Sequence, residues 1–147
     1  MNRIILNKQA GFDYQIIGTC EAGIALEGDE IKAVRSGRAN LKGSYAKIFY
    51  KKGRPELFLV GSHFHSNNLD PYRTRKLLVH KNELKHLIGK TVEKGLTLVP
   101  LSLYFKRGLV KAKIGIAQGL KNYDKREIIK KRDQEREIET KLKRRIG

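Results

Sequence analysis

His63 and His65 lie two residues apart and would share one face of an extended segment, which is the spacing of a metal pair. The completing ligands are missing. No cysteine lies nearby, and Asp70 sits across the turn that Asp70-Pro71 introduces. Ordinary polar or half-buried histidines are therefore expected, and no metal. Cys20, the single cysteine, excludes an intramolecular disulfide and fits a reducing compartment. Without a companion His or Cys motif it reads as a thiol held in a strand or its turn, not a nucleophile. Glu27, Asp29 and Glu30 cluster, but the first turn of a helix attracts carboxylates through its dipole alone. The chain has no Gly-x-Ser-x-Gly elbow, no phosphate-binding Gly-x4-Gly-Lys-Ser/Thr loop and no Gly-x-Gly-x-x-Gly turn. Neither catalysis nor a cofactor is expected.

Positive charge dominates instead. Lys and Arg number 32 against 15 Asp and Glu, a formal net charge of +17 with pI ≈ 10.1. Such a charge opposes compaction and draws polyanions from a distance, nucleic acid first among them. The cations concentrate in two places. In Tyr72-Arg73-Thr74-Arg75-Lys76-Leu77-Leu78 three of them stand against two leucines, so Arg73, Arg75 and Lys76 are candidate phosphate contacts. The other place is the last thirty residues. Between Ile129 and Ile138 no apolar side chain occurs, and Lys130, Lys131 and Arg132 begin that run.

Three Glu-to-Lys pairs at i,i+4 in this tail (Glu127/Lys131, Glu137/Lys141, Glu139/Lys143) favour helix by roughly 0.2–0.5 kcal/mol each. Ile138, Leu142 and Ile146 form too narrow a stripe to repay about 1–2 kcal/mol of backbone entropy per residue. The tail is thus expected to become fully helical only when polyanionic walls surround it; the plainer alternative is a solvated, solubilising charge run. It lacks the Trp, Phe and Leu face of membrane-surface helices, no run reaches the ~18 apolar residues of a membrane span, and the N-terminus has no signal-peptide segment. A cytoplasmic protein is expected.

The elements that must hold these groups are short. Met1 to Phe12 reads as extended and loosely held. Tyr14–Ile17 and Ala22–Leu26 read as two strands, and a helix follows from Asp29 to a C-cap at Gly37. Tyr45–Tyr50 and Glu56–Gly61 flank a five-residue loop, Lys51 to Pro55, as a hairpin. A polar connection from Ser62 to Asp70 leads to the cationic stretch. A second helix begins near His80 and stops at Gly89. Val99, Leu101, Leu103 and Phe105 alternate with Pro100, Ser102 and Tyr104, whereas Leu96 and Leu98 have the opposite parity, so a bend or bulge is expected near Pro100. After a turn at Lys106-Arg107-Gly108, Val110, Ala112, Ile114 and Ile116 line one face of the last strand.

Even strand spacing without a βαβ rhythm predicts a mainly β fold. The expectation is a small OB-like antiparallel barrel of about six strands with two or three short helices over residues 1–119. A basic C-terminal tail follows over residues 120–147.

Several blocks, in order, resemble the SsrA-binding protein (SmpB) family. They are Glu21-Ala22-Gly23-Ile24-Ala25-Leu26, Gly28-x-Glu30-Ile31-Lys32-x-x-Arg35-x-Gly37, Asp70-Pro71-x-Arg73-x-Arg75-Lys76-Leu77-Leu78, Val99-Pro100-Leu101-x-Leu103-Tyr104-Phe105-Lys106 and Asp124-Lys125-Arg126. The likeness runs from Asn7 to about Arg136. It implies trans-translation: binding the tRNA-like domain of transfer-messenger RNA (tmRNA) and delivering it, with elongation factor Tu, to ribosomes stalled without a stop codon. It also implies a monomer with an OB-type barrel. The tail would be disordered when free and helical on the ribosome, probing the empty mRNA channel beside the small-subunit rRNA of the decoding centre. The alternatives are a general structured-RNA-binding OB module and a structural ribosome-associated protein.

Carried over by position, Asn7, Lys8, Glu21 and Leu78 fall where the family binds RNA, beside Arg73, Arg75 and Lys76. Glu21 cannot meet phosphate favourably. It reads either as an acceptor toward a base edge, as an orienter of a neighbouring cation, or as a brace at a strand turn. Leu78 reads equally as core. Asp124, Lys125 and Arg126 match the tail motif required for accommodation. Tyr123 before them is either a ring for an exposed rRNA base or a tether back to the barrel. Gln118 and Leu120 stand where the family usually has junction lysines, and the Ser62–Asp70 connection is shorter than usual.

Overall fold

The computed structural model describes residues 4–119. Its strands are β1 (Ile5–Leu6), β2 (Tyr14–Ile24), β3 (Ala39–Asn40), β4 (Tyr45–Lys51), β5 (Arg54–Val60), β6 (His63–Phe64), β7 (Arg75–Leu78), β8 (Thr97–Lys106) and β9 (Leu109–Gly119). The hydrogen-bonded order is β1-β8-β4-β5-β7-β2-β9, and β9 pairs back onto β8. The sheet therefore closes into an antiparallel ring of β8, β4, β5, β7, β2 and β9, as the strand count in the sequence implies. Closure removes the sheet edges that would otherwise invite another chain. β1 pairs with β8 through Ile5↔Leu103 and Leu6↔Ser102, and β3 and β6 form a separate two-stranded ribbon.

Two hairpins set the register. β8 and β9 turn through Arg107 and Gly108, at φ 52 and 77; β4 and β5 turn through Lys52 and Gly53, at φ 52 and 76. Positive φ at both central residues matches the right-handed twist of the flanking strands, so each turn tightens to two residues. The five-residue loop expected at Lys51 to Pro55 is thereby overturned: Lys51 pairs with Arg54 and Tyr50 with Pro55 within the ladder.

Bulges do the bending. The β8–β9 register slips between Pro100 and Ser102. Leu98 and Leu103, of opposite parity, both face the main core in consequence. Val99 turns to a smaller cluster with Ala10 and Ala117, with Leu101 packed against it. β2 is a single eleven-residue strand, not two, with a second irregularity between Ile16 and Gly18. It runs on through the polar Thr19-Cys20-Glu21 because its partner β9 is equally long. At Gly115 a Cβ would stand 3.1 Å from a Leu101 methyl and 3.2 Å from an Ile16 methyl, so glycine lets β2, β8 and β9 pack closely there.

The core is apolar apart from the buried Glu30 and Arg75: Leu57, Leu59, Phe64, Leu77, Leu98, Leu103, Ala112 and Ile114 are all buried. Each large side chain among them contributes about 1.5–3 kcal/mol through removal from water. The ring is nevertheless uneven. β2–β9 and β8–β9 are long ladders, while β4 meets β8 only at Ala46↔Leu98 and β2 meets β7 only at Gly23↔Leu78 and Ile24↔Leu77.

Helix α2 (Gly28–Arg35) starts with a capping box in which Glu27 and Glu30 each accept from the other's backbone N–H. Helix α3 (Lys81–Ile88) seats Leu87 in the core. It does not end at Gly89, which keeps right-handed helical angles; a π-helical turn carries the chain on to Glu93. The N-terminal stretch is also more ordered than its sequence suggests. Besides β1 it forms a one-turn helix, α1 (Ala10–Asp13), whose Ala10 is buried in the smaller cluster.

Candidate nucleic-acid interface

On the outer face of β2, β9 and β8, Glu21 is the one carboxylate among several cations. The ladder sets Glu21 opposite Lys113, Gly23 opposite Lys111, and Tyr104 opposite Lys111. The Tyr104 hydroxyl donates to Glu21 Oε2, and Lys106 Nζ lies 3.2 Å from Glu21 Oε1. The hydrogen bonds from Tyr104 and Lys106 hold the Glu21 carboxyl below its ordinary range. Burial, then the bond to Glu21, pushes the Tyr104 phenol up to about 12. Glu21 is therefore ionised and Tyr104 neutral at physiological pH. The carboxylate fixes a phenol and an ammonium in place while Lys111 and Lys113 keep the surface net positive.

Beside this cluster an open groove of about 860 Å³ runs along the short β2–β7 seam. Its lining includes Glu21, Gly23, Leu78, His80, Leu109 and Lys111. Leu78 is 51% exposed. The core reading of that residue is thereby excluded. Cys20 and Glu83 also line the groove, and burial together with the Glu83 carboxylate raises the Cys20 thiol to about 11. Such a thiol stays protonated and unreactive near neutral pH.

The SmpB protein family matches residues 4–144 of the chain. The chain belongs to the SmpB family. The SsrA-binding protein of Acaryochloris marina is 50% identical over 94% of this chain and 92% of its own length. That of Bacillus subtilis is 52% identical over 90% and 86%. A chain from the solved structure "tmRNA-SmpB: a journey to the center of the bacterial ribosome" superposes with a TM-score of 0.66 at 42% identity, covering 86% of this chain and 94% of that one.

The positions suggested by the SmpB resemblance do not form one patch. Glu21 and Leu78 line the same groove, and Lys76 is exposed on the same strand as Leu78. Asn7 and Lys8 sit farther along β8, at its bulge. There the Asn7 side chain donates to the Pro100 carbonyl at 2.8 Å and its backbone N–H to the Leu101 carbonyl, while Lys8 is exposed.

The expectation that Arg75 contacts phosphate is corrected by its burial. Its side chain has no exposed surface. Nε donates to Glu30 Oε2 at 2.6 Å, Nη1 to the Ser62 carbonyl and Nη2 to the Pro71 carbonyl, both at 2.9 Å; the guanidinium carbon lies 4.3 Å from the Phe64 ring centroid. Arg73 also binds Glu30, but its side chain is 36% exposed. Burial raises the Glu30 carboxyl, yet donors from Arg73, the Glu27 N–H and Arg75 outweigh it and leave the pKa lowered. Arg75 is thus a pin joining α2, β7 and the segments on both sides of β6. Arg73 is half-engaged by the Glu30 carboxylate, and Lys76 is the cation of the three that is exposed.

Sequence reading missed Tyr104, Lys106 and Lys111 as companions of Glu21. Their polar parity on β8 and β9 was the available signal, but only the register shows which strand lies beside Glu21. The two histidines border one shallow depression, as their spacing suggests, with His63 stacked edge-on against Tyr72 at a centroid distance of 4.9 Å and His65 exposed. Among the described residues no three His, Cys, Asp or Glu side chains gather as metal ligands do. Tyr123, Asp124, Lys125, Arg126, Lys130, Lys131 and Arg132 lie outside the described residues.

Proposed function

We propose that this chain binds the tRNA-like domain of tmRNA and brings it to stalled ribosomes for trans-translation. The observation that carries this reading is the match along nearly the whole chain to SsrA-binding proteins at about half identity, joined by a relative of the same fold solved with tmRNA and the ribosome. The groove and the Glu21 cluster fit the task. Lys106, Lys111 and Lys113 meet phosphates, and Glu21 acts through Tyr104 and Lys106 or accepts from a base edge. Asn7, Lys8, Arg73, Lys76 and Leu78 extend the contact.

Residues 1–119 are the RNA-binding module and residues 120–147 a separate tail. In the tail Tyr123, Asp124, Lys125 and Arg126, followed by Lys130, Lys131 and Arg132, engage small-subunit rRNA at the decoding centre and the empty mRNA channel. The protein works as a cytoplasmic monomer, is delivered in complex with elongation factor Tu, and catalyses nothing itself.

Gel shifts with the isolated tRNA-like domain and with ordinary tRNA test the reading: the first binds more tightly, and equal affinity for both sinks it. Truncation after Gly119 separates the modules. RNA binding survives and peptide tagging on stalled ribosomes is lost; persistent tagging refutes the role given to the tail.

A further inference from the structure

Outward positions along β4 are Tyr45, Lys47, Phe49 and Lys51, all exposed, whereas Ala46 between them is buried. Tyr45 is 39% and Phe49 42% exposed, so each side chain keeps part of its surface in solvent. The ladder places Phe58 opposite Lys47, Arg54 opposite Lys51, and Lys76 of β7 beside Phe58. Phe49 and Phe58 meet edge-on with centroids 5.7 Å apart, and Lys47 Nζ lies 5.2 Å from the Phe49 centroid. Lys51, Lys52 and Arg54 crowd the tip of the hairpin. On this surface five cations (Lys47, Lys51, Lys52, Arg54 and Lys76) face one carboxylate, Glu56, whose Oε1 is 3.4 Å from Lys76 Nζ.

Exposed rings interleaved with cations match one kind of partner better than others. Duplex backbone would use the cations and leave the rings idle. An apolar protein patch would use the rings and leave five ammonium and guanidinium groups to be desolvated. A strand of unpaired nucleotides uses both, because bases stack on the rings while neighbouring phosphates meet the cations.

We infer that the outer face of the β4–β5 hairpin, continued by Lys76, is a stacking platform for unpaired RNA nucleotides. Its hairpin lies across β7 from β2 and the Glu21 cluster, and Lys76 on β7 is the residue the two surfaces share. The inference rests on the RNA-binding reading but on none of the groove residues.

The test uses the full chain, a labelled oligouridine of about a dozen nucleotides, and the tRNA-like domain, followed by fluorescence anisotropy over a salt series. The double variant Tyr45→Leu/Phe49→Leu keeps apolar area and charge but removes two rings. It binds oligouridine about tenfold or more weakly, as loss of base stacking requires, with an unchanged salt slope, and it stays folded with a melting temperature lowered by no more than the Phe49–Phe58 edge contact contributes. Tyr45→Phe/Phe49→Tyr binds as the original chain does. Lys51→Gln/Lys52→Gln/Arg54→Gln lowers the salt slope by about two, since each neutralised phosphate of a single strand contributes about 0.7. Full oligouridine affinity in a folded leucine double variant overturns the platform and leaves the face to a protein. If the unaltered chain bound neither RNA, the functional reading itself would fail, which is a different outcome.

Discussion

Arg75→Met tests whether the buried arginine is a structural pin and not an RNA contact. Methionine fills much of the same space without charge. The change strands the Glu30 carboxylate, which has no exposed surface, with Arg73 and the Glu27 N–H as its remaining donors. It also takes away the Arg75 donor to the Ser62 carbonyl, whereas the Pro71 carbonyl keeps the Phe64 N–H. Removing one partner of a buried pair costs about 3–5 kcal/mol. With a urea m-value of about 2 kcal/mol/M, the unfolding midpoint falls by roughly 2 M. Against a total of about 5–15 kcal/mol the variant is marginal but foldable at low temperature.

Glu30→Gln/Arg75→Met, which removes both charges, recovers a good part of the loss, so a double-mutant cycle by urea unfolding reads the coupling directly. The acid limb gives a second readout. The folded pKa of Glu30 is lowered, so its contribution is present above the unfolded carboxyl's pKa and fades as pH falls through the folded value. That fading shrinks in Arg75→Met. RNA affinity per folded molecule and its salt slope stay unchanged. A stable Arg75→Met protein with weakened, less salt-dependent RNA binding would refute the pin.

The Glu21 cluster and the lone thiol give two further tests. In a carboxyl NMR titration Glu21 ionises below its ordinary 4.5, and Tyr104→Phe moves it upward; its contacts with Tyr104 and Lys106 hold above the unfolded carboxyl's pKa and are lost as pH drops through the folded one. Absorbance titration places the Tyr104 phenol near 12, and Glu21→Gln brings it down toward 10. An unmoved phenol contradicts the hydrogen bond. With its thiol near 11, Cys20 is alkylated by iodoacetamide at pH 8 about a hundredfold more slowly than a free cysteine of pKa about 8.5. Urea abolishes the protection and Glu83→Gln reduces it, while a free-cysteine rate in the folded chain rules out the packed site.

The fold was legible where local chemistry sufficed. Opposed parities of Leu98 and Leu103 announced the bulge at Pro100, Arg107-Gly108 announced its hairpin, and Glu30 with Gly37 bracketed α2. Lys52-Gly53 carried the same signal as Arg107-Gly108, but Pro55 and two extra cations suggested a wider loop than the ladder allows. The site was legible only in part, because side-chain accessibility is a tertiary property. Arg73-Thr74-Arg75-Lys76 looks like a cationic loop in one dimension. In the barrel β7 alternates inward and outward, so Arg75 goes in with Leu77 and Lys76 goes out with Leu78. Nothing local says that a buried carboxylate waits for Arg75, since Glu30 lies 45 positions away. The link between Glu21 and Tyr104, 83 positions apart, was hidden for the same reason.

The two thin seams make the ring mechanically a pair of half-shells. One is the meander of β2, β9 and β8; the other is β4, β5 and β7. Hydrogen bonds are dense within each half and few between them. Amides inside the long ladders exchange with solvent only when the whole domain unfolds, whereas those near Ala46, Leu98, Gly23 and Leu78 also exchange through partial openings of lower free energy. An RNA that touches Glu21 on one half and Lys76 on the other straddles such an opening and suppresses it. Part of its binding would then be measured as slowed exchange along the seams, far from any atom it contacts.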